Sequence, residues 1–175
     1  MSPIVDSRWT EARRKSAAKR EAAEDAEARK EWLIPLALLI AGVGVVITAA
    51  MVRESGGEAD APPPWLFALI YPVRLAIEVV IGMLGLWAAC ALWLGGAGPL
   101  GLGLLRLAGI YAIYDAIVIA IPLGMISGII GLLVYIGLLV KLFDLEAADA
   151  IMLVIITFVL KLGVGLGLMA LLAGL

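Results

Sequence analysis

The sequence predicts an all-α polytopic integral membrane helix bundle of about five transmembrane helices, led by a charged N-terminal helix. Three observations carry that prediction. From Trp32 to Leu175 the chain is almost continuously apolar. Mean hydropathy is +1.09, with 63% hydrophobic residues. Most of the charge stands in the first 31 residues, including Arg13, Arg14, Lys15, Lys19 and Arg20. Residues 33–175 hold too few polar side chains to clothe a water-soluble domain of that size. The 175 residues suffice for roughly four to six spans and leave no length for a further soluble domain. The organisation is therefore a charged cytoplasmic helical segment, 1–31, and a transmembrane domain, 32–175.

The stretch Ser7 to Glu31 is built of strong helix formers without Gly or Pro. Glu11 with Lys15, Arg20 with Glu24, and Asp25 with Arg29 stand at the supportive i,i+4 spacing. Its apolar positions are nearly all alanine, so there is no Leu/Ile seam for a coiled coil. Its charges are segregated. Arg13, Arg14, Lys15, Lys19 and Arg20 come first, then Glu21, Glu24, Asp25, Glu27 and Glu31. This pattern reads either as a solvated helix or as a docking surface for anionic lipid headgroups or a partner protein. The second reading gains about 1 kcal/mol per basic residue at an anionic surface. A polar lead of about 30 residues is too long for a signal peptide's basic region, and its acids do not suit a transit peptide, so the first apolar run is expected to be a retained anchor.

The spans follow in order. The first is predicted from about Trp32 to Val52, with Trp32 at an interface and Arg53 and Glu54 beyond it. A net-acidic loop ends in Pro62, Pro63 and Pro64. The run Trp65 to Leu94 is long for one upright helix. Pro72 offers a break that would leave Trp65 to Tyr71 at the interface and send Val73 to Leu94 across. A Gly-rich connection leads to a third span over about Leu102 to Ile121, closed by Pro122, and a fourth over about Leu123 to Val140. The charged stretch Lys141 to Ala150 precedes a fifth, from about Ile151 to the C-terminus. The excess of Lys and Arg before Trp32 predicts a cytoplasmic N-terminus and, with five spans, a C-terminus on the opposite side. Gly124 with Gly128 and Gly163 with Gly167 have the spacing that lets helices approach closely.

Chemistry is much less legible. Histidine, asparagine and glutamine are absent, which removes the commonest general base, the commonest metal ligand and the amides of many polar sites. The single cysteine, Cys90, lies in an apolar run. No nucleophile elbow, zinc-protease helix, paired CxxC, phosphate loop or dinucleotide fingerprint occurs. The expectation is no enzyme, no cofactor, no metal and no nucleic-acid partner, with the lipid bilayer as the principal environment. Other membrane-protein subunits or self-association are the expected partners. A low-Asn, Ala/Gly/Leu-rich composition suggests a bacterial inner membrane.

Ionisable residues inside the spans are the strongest local signal, because each is costly in lipid unless paired or watered. They are Arg74, Glu78, Asp115 and Lys161. Counting rise along the predicted helices puts Glu78, Asp115 and Lys161 at similar depths, with Arg74 one turn from Glu78 and Tyr111 and Tyr114 close by. The expectation is an intramembrane polar cluster, either a fastener between helices or a relay or ion pathway. The absence of histidine and the cationic neighbour of each carboxylate disfavour a relay.

The segment GGAGPLGLGLLRLAGIYAIYDAIVIAIP, a glycine-rich turn leading to a helix with Leu-Arg, aromatic residues and a closing proline, resembles the Yip1 domain superfamily. So does YIGLLVKLFDLEAADAIMLVIITFVL before and through the last helix. The likeness covers about residues 65–172. It implies a non-enzymatic scaffold that organises membranes, with its N-terminal segment and inner loops facing partners, and it carries over no catalytic residue. The N-terminal helix matches no element of that family. From a different class, the intramembrane charges also suit a small ion- or proton-coupled transporter or channel subunit.

Overall fold

The computed structural model describes residues 7–55, 63–95, 99–121 and 123–173. Five α-helices account for nearly all of them: α1 (Ser7–Ser55), α2 (Pro64–Ala89), α3 (Leu100–Ala120), α4 (Met125–Phe143) and α5 (Ala147–Ala173). A π-helical turn, Cys90–Leu94, extends α2. Five stretches are long and apolar enough to cross a membrane: Ala28–Val52, Trp65–Leu94, Leu100–Ala120, Met125–Phe143 and Ala147–Leu171. By length and composition this is an all-α integral membrane protein.

The chain divides into two compact units, residues 1–34 and 35–175. In the first, α1 runs without a break through the charged stretch, and the side chains of Lys15, Lys19 and Arg20 are exposed. Arg13 and Arg14 are helical in backbone, while their side chains lie outside the described residues.

In the second unit α3 packs on α2 and α4, and α5 packs on α2 and α4. The starts and stops of these helices follow local chemistry. Pro63 is extended (ψ 143°) and Pro64 takes the first turn of α2, where a missing N–H costs nothing. α3 ends at Ile121, whose extended backbone suits a residue that precedes a proline in sequence. α4 begins after Gly124, at φ 57°, whose carbonyl accepts the Ser127 hydroxyl at 2.6 Å. It ends at Asp144, at φ 53° in the left-handed region that Asp tolerates better than most residues.

Two expectations need correction. Pro72 does not break α2, which is continuous from Pro64 to Ala89 with Pro72 inside it. Proline removes one N–H and crowds one carbonyl, whereas unwinding there would strand several backbone groups in lipid. The charged stretch before the last span is not a ten-residue connection either. Only Asp144–Glu146 separate α4 from α5, since Ala147, Ala148 and Ala150 are good helix formers and Asp149 favours a first turn.

α3 sits at the centre, with half of its span buried, more than any other span. Leu107, Ile110 and Ala112 on it are almost fully enclosed. Close approach is made by glycines other than the four with suggestive spacing. A Cβ on Gly42 of α1 would lie 2.5 Å from the Ala112 carbonyl carbon of α3, and one on Gly85 of α2 would lie 2.6 Å from the Thr157 hydroxyl of α5. Cβ atoms at Gly124, Gly128, Gly163 or Gly167 would meet nothing within 4 Å. Large apolar side chains on the outside, such as Trp87, Leu92, Leu133 and Phe158, are exposed as a lipid-facing surface requires.

Candidate functional site: a charge chain and a tyrosine-lined cavity

The four ionisable residues singled out within the spans come together. Arg74 lies one turn before Glu78 on α2, and its Nε donates to Glu78 Oε1 at 3.1 Å. The same guanidinium reaches across to α3, where a terminal nitrogen donates to Asp115 Oδ1 at 3.3 Å. From α5, Lys161 Nζ comes within 3.5 Å of the other Glu78 oxygen. The result is an unbranched chain, Asp115–Arg74–Glu78–Lys161, that ties α3 to α2 and α2 to α5. Its two cations and two anions sum to zero. Asp115 is the sealed member, with its side chain 5% exposed, while that of Arg74 is 54% exposed.

Depth follows from helix rise. Arg74 and Glu78 stand about 14 and 20 Å from Trp65, and Asp115 about 8 Å from Ala120, at about 1.5 Å per residue. These are the same end of the bundle. At the opposite end the Trp93 indole, on the π turn, donates to Asp149 Oδ1 at 3.0 Å, and Arg106 stacks over Phe143 at 5.7 Å. The charge chain thus occupies the half of the bundle farther from the α4–α5 turn.

All four tyrosines of the sequence surround this chain. Lys161 Nζ sits 4.5 Å above the Tyr111 ring, a cation–π contact made inside the spans where desolvation strengthens it. Tyr111 packs on Tyr135 at 5.4 Å, and Tyr135 meets Tyr114 edge-on at 6.1 Å. Tyr71 is buried one turn before Arg74 and stacks on Phe67 at 5.9 Å. The buried Tyr71 hydroxyl faces the Asp115 carboxylate, and the buried Tyr111 hydroxyl faces that of Tyr135. The Tyr111 hydroxyl reaches α2 where Gly82 leaves room, a Cβ there falling 2.6 Å from it.

Between α3, α4 and α5 lies a cavity of about 230 Å³. The Tyr111, Tyr114 and Tyr135 side chains wall it with Thr157 and Val154, Lys161 supplies its one charge, and Leu132 and Phe158 stand at its rim. Arg74, Glu78 and Asp115 do not line it. Among the described residues no group of His, Cys, Asp and Glu could hold a metal ion.

Sequence reasoning found the four charges and two of the tyrosines. It missed Tyr71, Tyr135 and Thr157, although a concentration of every tyrosine within the spans was visible as a signal. It also missed the Trp93–Asp149 pair, which rests on the π turn and on α5 starting early enough to bring Asp149 onto a helix. No protein-family model, curated protein or solved structure matches this chain.

Proposed function

We infer that the protein is a non-enzymatic subunit of a membrane assembly, an interaction or membrane-organising scaffold of the kind that the Yip1 resemblance implies. One observation carries the reading: the intramembrane charges are spent on one another. Each carboxylate has a cation at salt-bridge distance and the buried Asp115 is held by Arg74, so the chain works as a clasp between three helices. A pathway would need these groups to line water-filled space, and three of the four line no part of the cavity.

In this reading the apolar faces meet lipid and neighbouring membrane helices, and the charged start of α1 is the docking element. The exposed Lys15, Lys19 and Arg20, with Arg13 and Arg14 in the same run, face anionic headgroups or an acidic partner on the cytoplasmic side of a bacterial inner membrane. The half-exposed Arg74 suits a place where another subunit, rather than bare lipid, covers the clasp.

The test is isolation from the native membrane in mild detergent, followed by mass spectrometry, of the whole chain and of a form lacking residues 1–31. A stoichiometric partner that disappears on truncation is the expected result. A lone monodisperse protein in both preparations overturns the scaffold reading. The second reading, a small ion- or proton-coupled transporter or channel subunit, is favoured by one observation, the presence of Lys161 on the cavity wall. It requires that Asp115→Asn abolish solute or proton flux in proteoliposomes while leaving the fold intact.

A further inference from the structure

The cavity on α3, α4 and α5 has a chemistry that the scaffold reading does not use. Lys161 has three N–H donors. Among the described residues its one acceptor is Glu78 Oε2, at the long distance of 3.5 Å, and its other contact is the face of Tyr111. The Lys161 side chain is 35% exposed, so the donors that Glu78 does not take are open to an acceptor from outside the chain. That acceptor must be uncharged. The four-residue chain is already neutral, and an added anion would leave a net charge in a medium of low dielectric constant.

The walls restrict the ligand further. Three tyrosine side chains and Phe158 line the cavity, and aromatic faces favour a flat ring in stacked or edge contact. A volume of about 230 Å³ holds one substituted six-membered ring, given that a cavity of about 150 Å³ takes benzene. The rim is lipid-facing: Phe158 is 62% exposed and Leu132 42% exposed. Lys161 stands about 15 Å from the Leu171 end of its span and about 21 Å from its start, at a depth where lipid tails and molecules dissolved among them reside. A neutral, flat, carbonyl-bearing ring that dissolves in the bilayer core meets all four conditions.

We propose that this cavity binds the head ring of a lipid-soluble quinone, with Lys161 donating to a ring carbonyl and the tail leaving between Leu132 and Phe158. Binding needs no rearrangement of the charge chain, because Glu78 keeps Arg74 and one Lys161 donor. The inference stands independently of the scaffold reading, since a subunit can hold such a ligand with or without partners.

The test uses the full chain in lipid nanodiscs and a decyl-tailed para-benzoquinone. The expected result is saturable uptake of about one quinone per protein above that of empty discs, with an infrared carbonyl band displaced to lower frequency in the bound fraction. Lys161→Met should weaken binding at least tenfold and abolish the band shift, as loss of a hydrogen bond from a charged donor implies. Leu132→Trp, which fills the rim without touching the charge chain, should weaken binding comparably, and it keeps the test open if Lys161→Met does not fold. Purely non-saturable partitioning overturns the proposal. So does equal binding by decylbenzene, which has the ring but no acceptor. Tighter binding of decanoate overturns it as well, by showing that the site takes an anion.

Discussion

Arg74 and Asp115 stand 41 residues apart in sequence and meet at 3.3 Å between α2 and α3, with the carboxylate sealed and the guanidinium half open. That asymmetry decides what each contributes. Asp115 cannot be solvated in place and depends on Arg74 for charge compensation, whereas Arg74 keeps Glu78 on its own helix if Asp115 is lost. The pair is therefore a dependency of α3 on α2, and Glu78 passes it on to Lys161 and α5.

Removing Arg74 should accordingly cost more than removing Asp115. Arg74→Met strands a buried carboxylate and should lower stability by about 1–3 kcal/mol, the penalty for a buried group left without its partner, below that of a fully buried ion pair because the guanidinium is half exposed. Asp115→Leu should cost less, and the double variant should recover a substantial part of the Arg74→Met loss, because two apolar side chains replace a pair whose desolvation is expensive. Unfolding in mixed micelles with added denaturing detergent measures all three. Additive losses in the double variant would show that the two residues act separately.

Pro72 offers a test of the unbroken α2. The helix already runs through it, so Pro72→Ala only restores one N–H and relieves crowding against the preceding turn. Stability should rise, by at most about 3 kcal/mol, the scale of the proline penalty in a helix interior. Thermal unfolding followed by circular dichroism reads it. A marked loss of stability would mean that a kink at Pro72 is needed for packing.

At the other end of the bundle, Trp93→Phe keeps the ring's apolar bulk but removes the donor to Asp149. The carboxylate is partly buried, so the loss should be about 1 kcal/mol, near the ordinary worth of one hydrogen bond. Asp149→Ala should cost a similar amount. The two together should cost little more than either, because only one bond is shared. Unfolding midpoints of the three variants decide it.

The apolar runs made the number and order of the helices legible, because a bilayer demands that each span satisfy its own backbone and present apolar side chains. Depth was legible too: counting rise brought Glu78, Asp115 and Lys161 to one level, where Lys161 meets Glu78 directly and Asp115 joins them through Arg74. Rotation about the helix axis was not. Whether Tyr135 faces α3 or lipid, or whether Thr157 meets Gly85, depends on side-chain packing that an all-round apolar helix does not encode as a stripe. For the same reason glycine spacing misled. Gly163 and Gly167 have the pattern of a packing face and meet nothing, whereas Gly42 has no such signature and seats α1 on α3.

That contrast gives the sharpest pair of substitutions. At Gly42 the new Cβ would fall 2.5 Å from backbone carbon and 2.7 Å from backbone oxygen at Ala112, which no rotamer change can relieve, so α1 and α3 must separate. Gly42→Ala should destabilise by about 1–3 kcal/mol, the range for overpacking, with Gly42→Val worse still. Gly163→Ala enters open space on a helix and should be neutral or stabilising by up to about 1 kcal/mol, since alanine loses less backbone freedom on folding. Crosslinking between cysteines placed on α1 and α3 in a Cys90→Ser background reports the separation directly. Gly42→Ala should lower its yield, and Gly163→Ala should leave it unchanged. Equal yields for the two variants would mean that Gly42 does not set the approach of α1 to α3.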